Sequence, residues 1–218
     1  MNHASAVQEK ADPSPKQRSI ADAATRLFMA EGYAGVSMDA IARAAGVSKA
    51  TLDAYFASKE RLFASLLGEA CAISGPNSAA LLDTGTDVRA TLTDLAGRAL
   101  GFMLEPRSLA IYRVVMAESA RFPELGRAYY ERGPAVGRHV LAAWLERQMA
   151  AGRLHHRDPG IAAEQFSALL RTHLHLRALL GIGPAPTEAE IDAVGAAAVE
   201  TFMSAYAPLR VRIKPNKA

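Results

Sequence analysis

The sequence predicts an all-α protein in which a small N-terminal domain is followed by a larger helical domain. Along almost the whole chain, apolar residues recur at the three- and four-residue spacing that builds one face of a helix. The alternation of apolar and polar residues that is typical of strands is missing. With 218 residues, of which 50% are hydrophobic, the chain can bury the core of one large domain or of two smaller ones.

The N-terminal domain is predicted to contain a unit of three helices, and the domain ends within the fourth helix that follows. Ser14 and Gln17 form a capping box that begins the first helix, and Gly32 is predicted to end it. Gly46 supplies the short turn between the second and third helices, which is a helix-turn-helix arrangement. The second, third and fourth helices are predicted to begin at Ser37, Ser48 and Ser58.

The C-terminal domain is predicted to contain further helices, several of which begin at a proline or a capping residue. Their predicted ranges are Thr86 to Glu105, Ser108 to Ala120, Pro123 to Arg132, Pro134 to Ala151, Asp158 to Leu180 and Thr187 to Tyr206. The predicted domain boundaries are a disordered tail at 1–14, the N-terminal domain at 15–70, the C-terminal domain at 71–208 and a basic tail at 209–218.

The charge distribution does not by itself identify a DNA-binding surface. The formal net charge is +3 and the pI is about 9.1. Residues 1–70 contain eight Lys or Arg and eight Asp or Glu, so the N-terminal domain is formally neutral. The basic tail sets the pI, because it carries Arg210, Arg212, Lys214 and Lys217.

Several classes of protein are excluded by what the sequence lacks. No apolar run approaches the roughly 20 residues that cross a membrane. The N-terminus lacks the apolar core of a signal peptide, and Cys71 alone cannot form an intramolecular disulfide. The sequence shows no nucleophile–base pair, carboxylate dyad or phosphate loop, and no group of metal ligands. We therefore expect a cytoplasmic protein that is not an enzyme and needs no cofactor.

One stretch carries a specific family resemblance. Residues 37–63 read SMDAIARAAGVSKATLDAYFASKERLF. The AGVS turn, the adjacent Tyr and Phe, and the SKE motif followed by Leu and Phe resemble the DNA-binding region of TetR-family transcriptional regulators. The resemblance extends over roughly residues 15 to 67. It implies a homodimer that binds double-stranded DNA through the third helix, with a C-terminal domain that dimerises and binds a small effector.

The resemblance also implies which side chains meet DNA. The hydroxyls of Ser37, Thr51 and Tyr55 can donate to phosphate oxygens, and Lys59 adds charge at the start of the fourth helix. Lys49 can reach O6 and N7 of guanine. The full set of predicted DNA contacts is Ser37, Met38, Arg43, Ser48, Lys49, Ala50, Thr51, Asp53, Ala54, Tyr55 and Lys59.

Asp53 departs from the family pattern, which usually has an aromatic residue at this position. We hypothesise that Asp53 accepts a hydrogen bond from cytosine N4, or that it orients Lys49 through an i,i+4 pair. The alternative is a tolerated charge on the solvent side that only weakens the attraction to phosphates.

The C-terminal domain resembles AefR-like members of the family through the stretch IYRVVMAESARFPELGRAYYERGP. Its inward aromatic and apolar residues suggest a small apolar or aromatic effector bound between the middle helices. The candidate effector-binding residues are Phe102, Met103, Tyr112, Met116, Trp144, Phe166 and His173, although for any one of them ordinary core packing is the favoured interpretation. The dimer surface is expected on the last two long helices, at Ala162, Phe166, Leu169, Leu170, Leu174, Ile191, Val194, Ala198 and Phe202, with the small Gly195, Ala196 and Ala197.

Three functions compete at this point. The first is a ligand-responsive dimeric repressor that binds a pseudo-palindromic operator. The second is an all-helical enzyme, for which no catalytic constellation is present. The third is a helical scaffold that binds a partner chain without binding DNA, and this alternative leaves the SKE motif and the exposed polar face of the third helix unexplained.

Overall fold

Residues 14–69, 82 and 87–208 are described by the structure, which is a computed structural model, and the elements in these ranges are all helices. The chain divides into two units at the bond between Leu66 and Leu67, within the fourth helix. Cys71 and most of the two predicted tails lie outside the described residues. Among the described helices, none combines the length and the apolar character that crossing a membrane requires.

Local capping chemistry sets the helices of the first unit. Ser14 and Gln17 form the predicted capping box, in which Gln17 N donates to Ser14 Oγ at 3.2 Å and Ser14 N donates to Gln17 Oε1 at 2.8 Å. Gly32 interrupts the first helix with φ 71° and ψ 165°, although helical turns continue beyond it. The helices are α1 (Pro15–Gly35), α2 (Met38–Ala45), α3 (Lys49–Tyr55) and α4 (Lys59–Glu69).

The core of the first unit draws on all four helices. Phe28, Tyr33 and Phe63 form an aromatic cluster, with ring centroids 5.3, 5.4 and 5.6 Å apart. Leu52 of α3 is completely buried, which contributes about 1.5–3 kcal/mol to the stability of the unit. Helix α3 is therefore anchored by one side, and its other side is left at the surface.

The second unit consists of the remaining helices. These are α5 (Val88–Leu104), α6 (Pro106–Glu118), α7 (Pro123–Arg132), α8 (Pro134–Ala150), α9 (Pro159–Leu170), α10 (His173–Leu180) and α11 (Glu188–Tyr206). Helices α6 to α9 each have a proline in the first turn. The predicted capping box of Thr187 and Glu190 begins α11.

One predicted helix is wrong in this unit. The single helix expected from Asp158 to Leu180 is broken at Arg171 and Thr172, which separate α9 from α10. Arg171 has φ −88° and ψ 60°, and Thr172 has φ −83° and ψ −170°, so neither residue continues the helix.

The buried core of the second unit lies among α5, α8, α9 and α11. Most of the residues that were expected at a dimer surface are buried within one chain, namely Ala162, Phe166, Leu170, Leu174, Gly195, Ala198 and Phe202. The large apolar side chains that stay exposed in this unit include Met116, Ile161, Leu176, Leu180 and Ile182, and Ala196 and Ala197 are exposed on α11.

Candidate nucleic-acid interface and ligand cavity

The turn between α2 and α3 depends on Gly46. Its backbone adopts the left-handed conformation with φ 67° and ψ 31°, which a residue with a side chain enters at a steric cost. The N–H of Gly46 donates to the carbonyls of Ala42 and Arg43, and Val47 N donates to Ala42 O at 3.0 Å. These bonds complete the end of α2 and hold α3 at a defined crossing to it.

Helix α3 presents a small, polar surface on the side opposite Leu52. Ser48 caps the helix, because its Oγ accepts a hydrogen bond from Thr51 N at 3.1 Å. The hydroxyls of Ser48 and Thr51 also share a hydrogen bond of 2.8 Å. The first turn of α3 therefore carries two hydroxyls in a defined arrangement, and each can donate to a phosphate oxygen when its proton is not used in the bond between them.

The other residues predicted to meet DNA surround this turn. Ser37 caps α2 by accepting from Ala40 N at 3.1 Å, and the hydroxyl of Tyr55 lies 3.5 Å from Ser14 Oγ. Ser37, Arg43, Ser48, Lys49, Ala50, Asp53, Ala54 and Tyr55 are exposed, whereas Met38, Thr51 and Lys59 are half-buried.

Lys49 is held by a carboxylate that the sequence reasoning missed. Its Nζ lies 3.1 Å from Oδ1 and 3.3 Å from Oδ2 of Asp39 on α2. The hydrogen bond and charge of Asp39 raise the pKa of Lys49, and Asp53 contributes least to this shift. The hypothesis that Asp53 orients Lys49 through an i,i+4 pair is therefore wrong, since Asp39 holds the ammonium group. The spacing of ten residues between Asp39 and Lys49 becomes a contact only through the turn at Gly46.

Lys59 is directed to the protein backbone. Its Nζ donates to Tyr33 O at 2.7 Å and to Val36 O at 2.9 Å, and lies 4.3 Å from the centroid of the Tyr33 ring. Carbonyls at the end of a helix lack helical partners, and the ammonium group supplies one to the end of α1. The structure thus places Lys59 as a link between α1 and α4, where the sequence suggested a contact to phosphate.

A cavity of about 360 Å³ lies in the second unit. Helices α5 to α10 all contribute to its wall, which is mostly apolar and aromatic. The aromatic and large apolar lining residues are Leu95, Phe102, Met103, Tyr112, Tyr129, Tyr130, Leu141, Phe166 and Leu170.

The wall also carries polar side chains. Arg138 and Glu164 form an ion pair of 2.6 Å, and both side chains are about half-exposed. His175 is buried, and its ring packs edge-on against Tyr112 with centroids 5.9 Å apart. Burial lowers the pKa of His175, and the nearby charge of Arg171 lowers it further. The imidazole is therefore neutral at neutral pH.

The cavity includes only part of the predicted effector-binding set. Phe102, Met103, Tyr112 and Phe166 line it, whereas Met116, Trp144 and His173 do not. These three side chains lie away from the cavity. Met116 is 62% exposed, Trp144 is buried in the core and His173 is exposed at the surface.

Most of the other lining residues were not in the predicted set, and among them are the aromatic Tyr129, Tyr130 and His175. The adjacent tyrosines were visible in the stretch that resembles the AefR-like domain. Among the described residues, no group of His, Cys, Asp and Glu side chains is arranged to hold a metal ion.

Comparison with known proteins identifies both units. Residues 20–66 match the model of bacterial regulatory proteins of the tetR family, and residues 90–208 match the AefR-like transcriptional repressor, C-terminal domain. A solved TetR-family transcriptional regulator from Mesorhizobium loti MAFF303099 is 30% identical, with a TM-score of 0.77 over 88% of this chain and 97% of that one.

Two further proteins are similar. The flavonoid-responsive regulator FrrA is 40% identical, with a TM-score of 0.69 over 89% of this chain and 98% of that one. MftR of Mycobacterium tuberculosis H37Rv, a regulator assigned to mycofactocin biosynthesis, is 44% identical over 62 residues. That match spans 28% of this chain and 30% of MftR.

Proposed function

Because this chain belongs to the TetR family of transcriptional regulators, we propose that it is a homodimeric repressor that a small aromatic effector releases from a pseudo-palindromic operator. The family assignment confirms the predicted all-α class and the prediction of a transcriptional regulator that is not an enzyme. The operator, the dimer and the effector belong to the proposal.

The main support for DNA binding is that one side of α3 is buried and the opposite side is exposed. Leu52 locks the helix to the core, and the exposed side has small or hydrogen-bonding residues that can enter a major groove closely. Ser48 and Thr51 bond to phosphates. Lys49 donates to O6 and N7 of guanine once its ion pair with Asp39 is broken. Asp53 is exposed on the same helix, where it accepts from cytosine N4.

Dimerisation follows from the size of this reading surface. A helix of seven residues covers too few base pairs for useful specificity, so two copies must read half-sites one helical turn or more apart. The exposed apolar Leu176 and Leu180 lie four residues apart on α10 and share one side of that helix. Together with the small exposed Ala196 and Ala197 of α11, they are our proposed dimer surface.

The cavity supports a flavonoid or a similar polycyclic phenol as the effector. Its volume of about 360 Å³ suits a ligand of a few fused or linked rings, near the lower end of the usual range of roughly 300–1,000 Å³. Tyr112, Tyr129 and Phe102 offer aromatic surfaces for stacking. The likeness to FrrA, which is described as flavonoid-responsive, favours the same chemical class here.

Helix α10 is our proposed link between the cavity and the dimer surface. It places His175 on the cavity wall and exposes Leu176 and Leu180. Arg113 of α6 braces its end, donating to the carbonyls of Ala178 and Leu179 at 2.6 Å each. A ligand that shifts α10 alters how the two copies meet, and a coupling of about 1–3 kcal/mol weakens operator binding by roughly 5–150-fold.

Fluorescence anisotropy on a labelled duplex from the DNA upstream of the protein's own gene tests the DNA-binding part. Wild type should bind this duplex in a salt-dependent manner, and Lys49→Ala should weaken binding by about 1–3 kcal/mol. Arg98→Ala is the matched control, because Arg98 is an exposed cation that forms an i,i+4 pair with Asp94 on α5. Equal losses in the two variants, or no salt-dependent binding by wild type, would refute the proposed interface.

A further inference from the structure

Within the described part of the chain, the cavity wall carries one positive charge that no other lining residue balances. The charged lining residues are Arg138, Glu164 and Arg171. Arg138 and Glu164 neutralise each other, because Arg138 Nε lies 2.6 Å from Glu164 Oε1. Arg171 takes part in no ion pair or side-chain hydrogen bond with another described residue. Two arginines and one glutamate therefore leave a formal charge of +1 on the wall.

Arg171 lies where α9 ends and α10 begins, and its neighbours Leu170 and His175 also line the cavity. Its side chain is exposed, so the guanidinium lies at the opening of the cavity, where solvent also reaches it. Besides burial, which is the larger cause, the charge of Arg171 lowers the pKa of His175, so the guanidinium is within electrostatic range of that imidazole. The His175 ring packs against Tyr112 with centroids 5.9 Å apart. The unbalanced charge therefore lies beside the aromatic part of the wall.

The other titratable side chains of the wall do not supply a matching negative charge. His175 of α10 is neutral at neutral pH, because burial and the charge of Arg171 lower its pKa. Glu164 of α9 is already paired with Arg138 of α8. The phenols of the wall come from α6 and α7, and they are Tyr112, Tyr129 and Tyr130. A ligand can therefore supply the anion that Arg171 lacks.

The chemistry of Arg171 favours an oxygen anion on the ligand. A guanidinium is always charged and has only donor groups, so its best partners are acceptors. Hydrogen bonds from a guanidinium to an ionised oxygen are roughly twice as strong as those between neutral groups. A nearby positive charge also favours the ionised form of an acidic hydroxyl group. A phenol that lies beside Arg171 is therefore driven towards its phenolate.

We propose that Arg171 binds an oxygen anion on the effector, so that a phenolic effector is bound as its phenolate. This inference rests on the proposed function, since it names the ionised group that the cavity recognises on its aromatic effector. The aromatic side chains hold the ring system, and Arg171 meets the end of the ligand that carries the charge. A phenol that binds in its neutral pH range releases its proton to the solvent.

An absorbance titration of apigenin, which is a trihydroxylated flavone, tests this assignment with the full-length protein. The phenolate absorbs at longer wavelengths than the phenol, so the ionisation of the ligand can be followed directly. Bound apigenin should ionise at a pH about one unit or more below that of free apigenin. The affinity for apigenin should therefore rise about tenfold as the pH increases from the lower midpoint to the higher one, and should level off on either side.

Two substitutions of Arg171 separate its charge from its shape. Arg171→Gln should remove the shift in the ionisation midpoint of bound apigenin, whereas Arg171→Lys should keep most of it, since the charge is retained. Arg98→Gln is the matched control, because Arg98 is an exposed cation that pairs with Asp94 and does not line the cavity. It removes the same charge from the protein and should leave the shift unchanged. Arg171→Gln should keep the thermal midpoint of the wild type, since Arg171 has no described side-chain partner.

The outcomes separate the role of Arg171 from the effector class. If bound apigenin ionises at the same pH as free apigenin or at a higher one, the effector class stands and the assignment of Arg171 is overturned. The assignment is also overturned if Arg171→Gln keeps the wild-type shift, or if Arg171→Gln and Arg98→Gln reduce it equally. If wild type does not bind apigenin, the proposed effector class is wrong and the inference fails with it.

Discussion

Replacing Lys59 by Met tests whether this residue holds the first unit together or contacts DNA. Met keeps the apolar stem of the side chain and removes the ammonium group. The variant loses two hydrogen bonds, of 2.7 Å to Tyr33 O and 2.9 Å to Val36 O, and the cation–π contact at 4.3 Å. The link between the end of α1 and the start of α4 is then lost.

The structure allows the cost to be estimated. Hydrogen bonds to a charged group contribute about 1.5–3 kcal/mol each, and an exposed cation–π contact adds about 0.5–1 kcal/mol. Because Lys59 is half-buried and the contributions are not additive, we expect Lys59→Met to destabilise the first unit by about 2–4 kcal/mol.

Native-state hydrogen exchange followed by mass spectrometry measures this loss in the full chain. Amides of α1 and α4 should lose about 2–4 kcal/mol of protection, while amides around the buried Trp144 in the second unit should be unchanged. The salt dependence of operator binding should keep its slope, because no phosphate contact is removed. Unchanged protection, combined with a slope reduced by about one, would show that Lys59 contacts a phosphate and that our assignment is wrong.

Three further substitutions test other parts of the account. Asp53→Ala should cost about 1–3 kcal/mol of discrimination at a single operator position in a library of operator variants, and uniformly tighter binding would identify Asp53 as a bystander. Asp39→Asn should tighten binding to every duplex and steepen its salt dependence, since it frees Lys49 and removes a negative charge; weaker binding would instead show that Asp39 positions Lys49 productively. Phe102→Ala should weaken apigenin binding measured by calorimetry by about tenfold or more, whereas the exposed Met116→Ala should leave it unchanged.

Features that depend on local chemistry were predictable from the sequence. The capping boxes at Ser14 and Thr187 begin helices because each involves groups only three residues apart. Gly46 was expected to make the turn of the helix-turn-helix, and it does so with a positive φ.

Features that depend on tertiary contacts were not predictable in the same way. The break at Arg171 and Thr172 contains neither Gly nor Pro, so no local signal marked it. Phe166 and Trp144 are both large and buried, yet only Phe166 lines the cavity. The rotation of each helix against its neighbours makes this difference, and residue type does not encode it.

The partners of charged side chains are also set by tertiary contacts that the local sequence does not reveal. The sequence marked Lys59 as a basic residue at the start of a helix, which is compatible with a phosphate contact or with a bond to the protein backbone. Its actual partners at Tyr33 and Val36 are 26 and 23 residues away along the chain. Long-range contacts of this kind appear only once α1 and α4 are packed together.

A footprint of the DNA upstream of the protein's own gene, made with and without apigenin, tests the central proposal most directly. The account predicts one protected region with two half-sites related by a two-fold axis and spaced by one helical turn or more. Apigenin should raise the protein concentration needed for half-maximal protection by roughly 5–150-fold. A protected region without two-fold symmetry, or one that apigenin leaves unchanged at concentrations that fill the cavity, would contradict the account.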